Sequence, residues 1–219
     1  MNFKLIPAFA FALMTAFACT DSKKRPDKLP ILGHREAVQK TVDGKAVTDT
    51  VYQTIPAFSF LNQDSVVIDN HKMSSQIYVA DFFFTSCPSI CPVMKKQMLR
   101  VYEAYKDEPQ LAFLSHTIDA KHDTIPVLKE YQEKLGVDGT KWHFLYGEKD
   151  AVYQLARDGY MNIAEDDEKA PGGIMHSGYF ILVDKAGHIR GAYNGTDETE
   201  VNNLIDDIKI LLNEYDSSI

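Results

Sequence analysis

A mixed α/β fold is predicted by three observations on this 219-residue sequence. From about Gln76 onward, strand-like and helix-like segments alternate, a pattern that implies parallel strands covered by helices on both faces. The run from Gln76 to Thr85 is apolar almost throughout, with Ile77, Tyr78, Val79, Phe82, Phe83 and Phe84. Such a run suits a central strand buried on both sides. Two cysteines, Cys87 and Cys91, fall where that strand gives way to a helix.

The elements follow in order. Lys4 precedes an apolar stretch, Leu5 to Ala18, that ends at Cys19. A basic start, a short apolar run and small residues read as an export signal, here residues 1–18. Ala16-Phe17-Ala18-Cys19 resembles the lipobox of bacterial lipoproteins, which makes Cys19 the expected lipid anchor. Residues 19–50 are polar and read as a tether, with the globular domain at 51–219. Phe58–Leu61 and Ser65–Ile68 read as an N-terminal β-hairpin around Asn62-Gln63-Asp64. After the central strand, Pro88 to about Tyr105 has helical spacing, with Met94, Gln97, Met98 and Val101 on one face. Leu111–Ile118 is a second buried strand. Thr124–Leu135 is a helix, with Asp123 as its expected N-cap and Gly136 as its stop. His143–Tyr146 is a short strand and Lys149–Arg157 a helix. Glu165–Lys169 reads as an acidic loop leading to Pro171-Gly172-Gly173. Ser177–Val183 and Ile189–Tyr193 form a hairpin, and Asp197 to about Asn213 is the last helix. A cysteine pair at the first strand-to-helix junction of such an order points to a thioredoxin-like fold. It would have a central mixed sheet, an N-terminal β-hairpin and flanking helices.

Charge and composition narrow the function. The net charge is -8, from 31 acidic and 23 basic residues, so no nucleic-acid partner is expected, since such partners need a basic face. No nucleotide-binding loop, H-E-x-x-H or G-x-S-x-G motif occurs. An exported chain would carry Cys87 and Cys91 into an oxidising compartment, where a structural disulfide is the ordinary outcome. Their context admits other chemistry. A helix N-terminus stabilises a thiolate at Cys87. Residues four apart on a helix share a face at about 6 Å, close enough for a disulfide. Two thiolates at that spacing also suit one soft metal ion, with Cu(I) and zinc both compatible. A third ligand would be needed. Of His34, His71, His116, His122, His143, His176 and His188, position favours His176. It follows the Gly-rich segment and opens a strand whose start should face Cys87. Met94 and Met98 read as core rather than ligands.

Thr85-Ser86-Cys87-Pro88-Ser89-Ile90-Cys91-Pro92, with the distant His176-Ser177, resembles the Sco/SenC family of copper-binding proteins. Leu114 to Asp119, Trp142 and Tyr179 to Gly187 resemble further blocks of that family, over roughly residues 50 to 215. The resemblance implies a membrane-anchored, thioredoxin-like copper metallochaperone, rather than an enzyme, that helps assemble the CuA centre of cytochrome c oxidase. It implies Cys87, Cys91 and His176 as ligands for Cu(I) or Cu(II), with Asp119 and Asp123 as nearby acidic positions. The implied partners are oxidase subunit II or another copper acceptor, a thiol reductant, and the membrane through the Cys19 anchor on the periplasmic side. Ser89, Ala120 and Ile125 depart from the family pattern. A thiol-disulfide oxidoreductase using Cys87 and Cys91 as a redox pair, or a copper or redox sensor, are the alternatives.

Overall fold

At the centre of the computed structural model, which describes residues 26–167, 169 and 174–216, lies a seven-stranded mixed sheet. Its strands are β3 (Ser59–Asn62), β4 (Val67–Asp69), β5 (Ile77–Phe83), β6 (Leu111–Thr117), β7 (Trp142–Tyr146), β10 (Tyr179–Val183) and β11 (Ile189–Asn194). The order across the sheet is β11-β10-β5-β6-β7-β3-β4. β5, β6 and β7 are parallel, while β10 and β3 join antiparallel on either side. Every residue of β5 and β6 is buried, as suits mostly apolar strands covered on both faces.

The helices are α1 (Asn70–Met73), α2 (Cys91–Tyr105), α3 (Ile125–Leu135), α4 (Lys149–Gln154) and α5 (Glu198–Asp216), with a π-helical turn at Leu155–Gly159. α3 stops at Gly136, whose φ of 68° is the left-handed conformation that ends helices without a Cβ penalty. The thioredoxin-like arrangement expected from the sequence is present.

Four local expectations are corrected. The tether assigned to 19–50 contains, in its described part, the strand β1 (Arg35–Val42), which pairs with β2 (Lys45–Tyr52). Asp43 and Gly44, both at positive φ, turn the chain between them. Leu29, in the same stretch, is buried, and Arg190 donates to its carbonyl. The second correction is at α2, which starts at Cys91 rather than Pro88, because the chain bends at Ser89 and Ile90, with Ile90 as the N-cap and Pro92 in the first helical turn. Third, the acidic loop at 165–169 is partly strand: β8 (Ala164–Asp166) pairs with β9 (Ile174–His176) as a small two-stranded arm. His176 therefore ends β9 and does not open the central strand β10. Fourth, the N-cap of α3 is Thr124, not Asp123, whose carboxylate is used elsewhere. Residues 1–25, with Cys19 and the lipobox-like segment, and Gly172-Gly173 lie outside the described residues.

Candidate metal centre

The site forms where β5 runs out. Beyond Phe83 the chain turns, and the Cys87 N–H donates to the Phe84 carbonyl at 3.2 Å. Asp123 braces this turn from the β6–α3 connection. It is fully buried and accepts from the Thr85 N–H at 3.0 Å, the Thr85 hydroxyl at 2.5 Å and the Thr117 hydroxyl at 2.6 Å. Cys91 then opens α2, and the β8–β9 arm brings His176 in from the far part of the chain.

Cys87, Cys91 and His176 converge. One ligand atom from each lies within 4.8 Å of the other two. Cys91 Sγ is 3.4 Å from His176 Nε2, and Cys87 Sγ is 3.6 Å from Ser89 Oγ. Both cysteines are free thiols, 7% and 6% exposed. The Phe84 ring meets the imidazole edge-on at 5.8 Å. His176 Nδ1 is buried without a hydrogen-bond partner among the described residues.

The two thiols are electrostatically unequal. Burial opposes ionisation of Cys87, but hydrogen bonds from the Cys91 thiol, the Ser89 and Cys91 N–H groups and the Ser89 hydroxyl outweigh it. Its pKa falls below the ordinary thiol value. The Cys91 N–H opens α2, where unpaired donors favour an anion, and the Ser89 N–H lies in the bend just before it. Burial, reinforced by the neighbouring Cys87, raises Cys91 instead. Burial also lowers His176, which favours the neutral, ligating imidazole. Two sulfurs and one imidazole nitrogen in a nearly closed site form a donor set for a soft ion such as Cu(I), or for zinc.

Other residues singled out from the sequence lie apart from this cluster. Asp119 pairs with His122 at 2.7 Å. Asp123 supports the cysteine turn through Thr85. His143 meets Asn62, and His188 meets Asp184. His116 is enclosed in the core on the opposite face of β6. Met94 and Met98 are buried, 2% and 1% exposed, as core residues. Beneath Cys91 lies a polar chain that sequence reading missed. Trp142 Nε1–H donates to Ser115 Oγ at 2.9 Å, and the Ser115 hydroxyl donates to Asp81 at 2.5 Å. Asp81, Ser115, Trp142 and Cys91 line one small cavity with room for about one water. Asp81 was visible only as a single acid inside an otherwise apolar strand.

Comparison with known proteins places this geometry in a family. The SCO1/SenC family model matches residues 46–213. The SCO1 homologue of Bacillus subtilis strain 168 is 26% identical over 168 residues, covering 76% of this chain and 86% of that protein. A SCO1/SenC family lipoprotein from Bacillus anthracis superposes with a TM-score of 0.67 at 27% identity, over 73% of this chain and 95% of that one. BsSco, a member of the Sco family of cytochrome c oxidase assembly proteins with a disulfide switch, gives 0.63 at 28% identity, over 71% and 91%. Copper-bound yeast Sco1, 22% identical, shares the fold with a TM-score of 0.56 over 71% and 88%. With the family model spanning most of its length, the chain belongs to the SCO1/SenC family.

Proposed function

We propose that this protein binds copper through Cys87, Cys91 and His176 and assists assembly of the CuA centre of cytochrome c oxidase. The convergence of the three donors within 4.8 Å carries the reading. Copper is cargo. Loading releases the thiol protons, so it requires both cysteines reduced and hence a thiol reductant. Unloading proceeds by ligand exchange with oxidase subunit II or another copper acceptor. Asp123 positions the cysteine turn, and Asp119 belongs to the same connection. The related lipoprotein supports an anchor at Cys19, with 1–18 removed and the domain held on the periplasmic side of a bacterial membrane. No helix among the described residues is long and apolar enough to cross a membrane.

A second reading rests on the inequality of the thiols. A low-pKa Cys87 beside a high-pKa Cys91 is the arrangement of a thiol-disulfide oxidoreductase, with Cys87 as the attacking thiolate. The family relative BsSco has a disulfide switch. His176→Ala separates the two. It keeps both thiols, so exchange should persist, while copper affinity should fall by at least about 100-fold. Under the copper reading, oxidase assembly at limiting copper fails in His176→Ala as it does in Cys87→Ser. Near-normal oxidase activity in His176→Ala cells would favour exchange.

A further inference from the structure

We infer that the outward face of the β8–β9 arm is the docking surface for the protein that exchanges copper with this site, a partner whose apolar patch is rimmed by basic groups. The inference rests on the copper reading and names the surface through which it operates.

The arm has two unlike faces. Ala164 pairs with His176 and Glu165 with Met175, and side chains alternate along a strand. Asn162 and Ala164 are buried at 3% and 6% exposure, on the side that carries His176 toward the cysteines. Ile163 and Glu165 alternate with them and are exposed, and Met161, at a positive φ before the extended run, is exposed as well. The backbone contact extends past the named strands, because the Ser177 N–H donates to the Ile163 carbonyl and the Ile163 N–H to Ser177 Oγ. Ile163 and Met175 are thus diagonal neighbours on the outer face.

Exposed apolar side chains concentrate there. Among the described residues ten large hydrophobics are exposed, and three belong to the arm and its approach, Met161 at 50%, Ile163 at 51% and Met175 at 38%, while Tyr179 at 44% opens β10 three residues beyond the arm. A fifth, Val93 at 45%, is on the first turn of α2 beside Cys91. Single exposed apolar residues are ordinary, but a cluster marks an interaction surface. The cysteines themselves are almost covered, so an exchanging protein must seat on the surface around them. The arm is the element that joins that surface to a candidate ligand.

Charge selects the partner. Glu165 is exposed on the outer face, half-buried Asp167 follows it along the chain, and Lys169 is the one lysine or arginine among the described residues from 161 to 179, in a chain whose net charge is -8. Arg157 at the arm's approach is paired with Asp158. An apolar centre with an acidic margin fits a basic-rimmed surface and repels an acidic one.

The test measures binding and copper transfer between the copper-loaded protein and the apo copper domain of oxidase subunit II from the same cell. Ile163→Ser/Tyr179→Ser should still bind one copper per chain. Its association with the acceptor should weaken at least about tenfold. Wild-type association should weaken as salt rises, and Glu165→Gln/Asp167→Asn should flatten that dependence. Equal binding by wild type and the serine variant, or no binding by wild type, overturns the docking surface. Binding without copper transfer supports the surface and overturns the delivery reading.

Discussion

His116 stands at 0% exposure among Phe58, Phe60, Phe82 and Tyr160, stacked on Phe82 at 5.1 Å. Neither of its ring nitrogens has a hydrogen-bond partner among the described residues. A buried polar group without a partner destabilises the fold, by roughly 1–3 kcal/mol in proteins. Phenylalanine has a similar shape and no polar atom to satisfy. His116→Phe should therefore raise the denaturant midpoint by the equivalent of about 1–3 kcal/mol at neutral pH, with copper stoichiometry unchanged. An unchanged or lower midpoint would mean that the imidazole has an undetected partner. From the sequence His116 was an open ligand candidate. Spacing could not show that the β6 alternation turns it to the face of the sheet away from the cysteines.

At the scale of elements, what was legible depended on how strongly burial marks the sequence. β5 and β6 were read to within a residue or two, because strands covered on both faces are mostly apolar. β1 and β2 were missed because their residues are almost all exposed, which leaves a composition like that of a tether. The local signal was Asp43-Gly44, a strong hairpin dipeptide. β8 was missed because acidic residues at 165 and 166 hide a strand that uses only its inner face. The cysteine pair and His176 were legible as residues, whereas the arm that joins them is a tertiary arrangement. Asp123 was legible as an acid, but read as a cap it was given the wrong work. It is a strut between the β6–α3 connection and the turn before Cys87. Asp123→Ala would strand the Thr85 N–H and two hydroxyls, at a cost of about 3 kcal/mol or more. The expected result is that stability loss together with weaker copper retention, read by denaturation and by competition with a copper chelator. Full copper retention at reduced stability would confine Asp123 to a structural role.

Across the whole molecule, buried ionisable groups set opposing pH dependences. Burial lowers the pKa of His116 to about 3 and of His143 to about 4. Below the ordinary histidine value of about 6.5 the unfolded chain binds protons that the folded chain refuses. Their contribution is therefore full above about 6.5 and is lost as pH falls toward the folded values. Asp81 acts in the other sense. Burial raises it to about 7, against the Ser115 hydrogen bond, so the folded chain holds a proton that the unfolded chain releases. Stability from that group is lost as pH rises from its unfolded value of 3.8 through about 7. Asp81→Asn should flatten the decline toward neutral pH, and His116→Phe should flatten the decline toward acid, in denaturant midpoints taken across pH 4 to about 8. An unaltered profile in both variants would remove these groups from the account. Copper binding, the central claim, is tested most directly by titrating the reduced protein with Cu(I) against a competing chelator, beside Cys87→Ser/Cys91→Ser. The account predicts one tightly held copper per chain in the reduced wild type and none in the double variant or in the oxidised disulfide form. Equal copper retention by the double variant would contradict it.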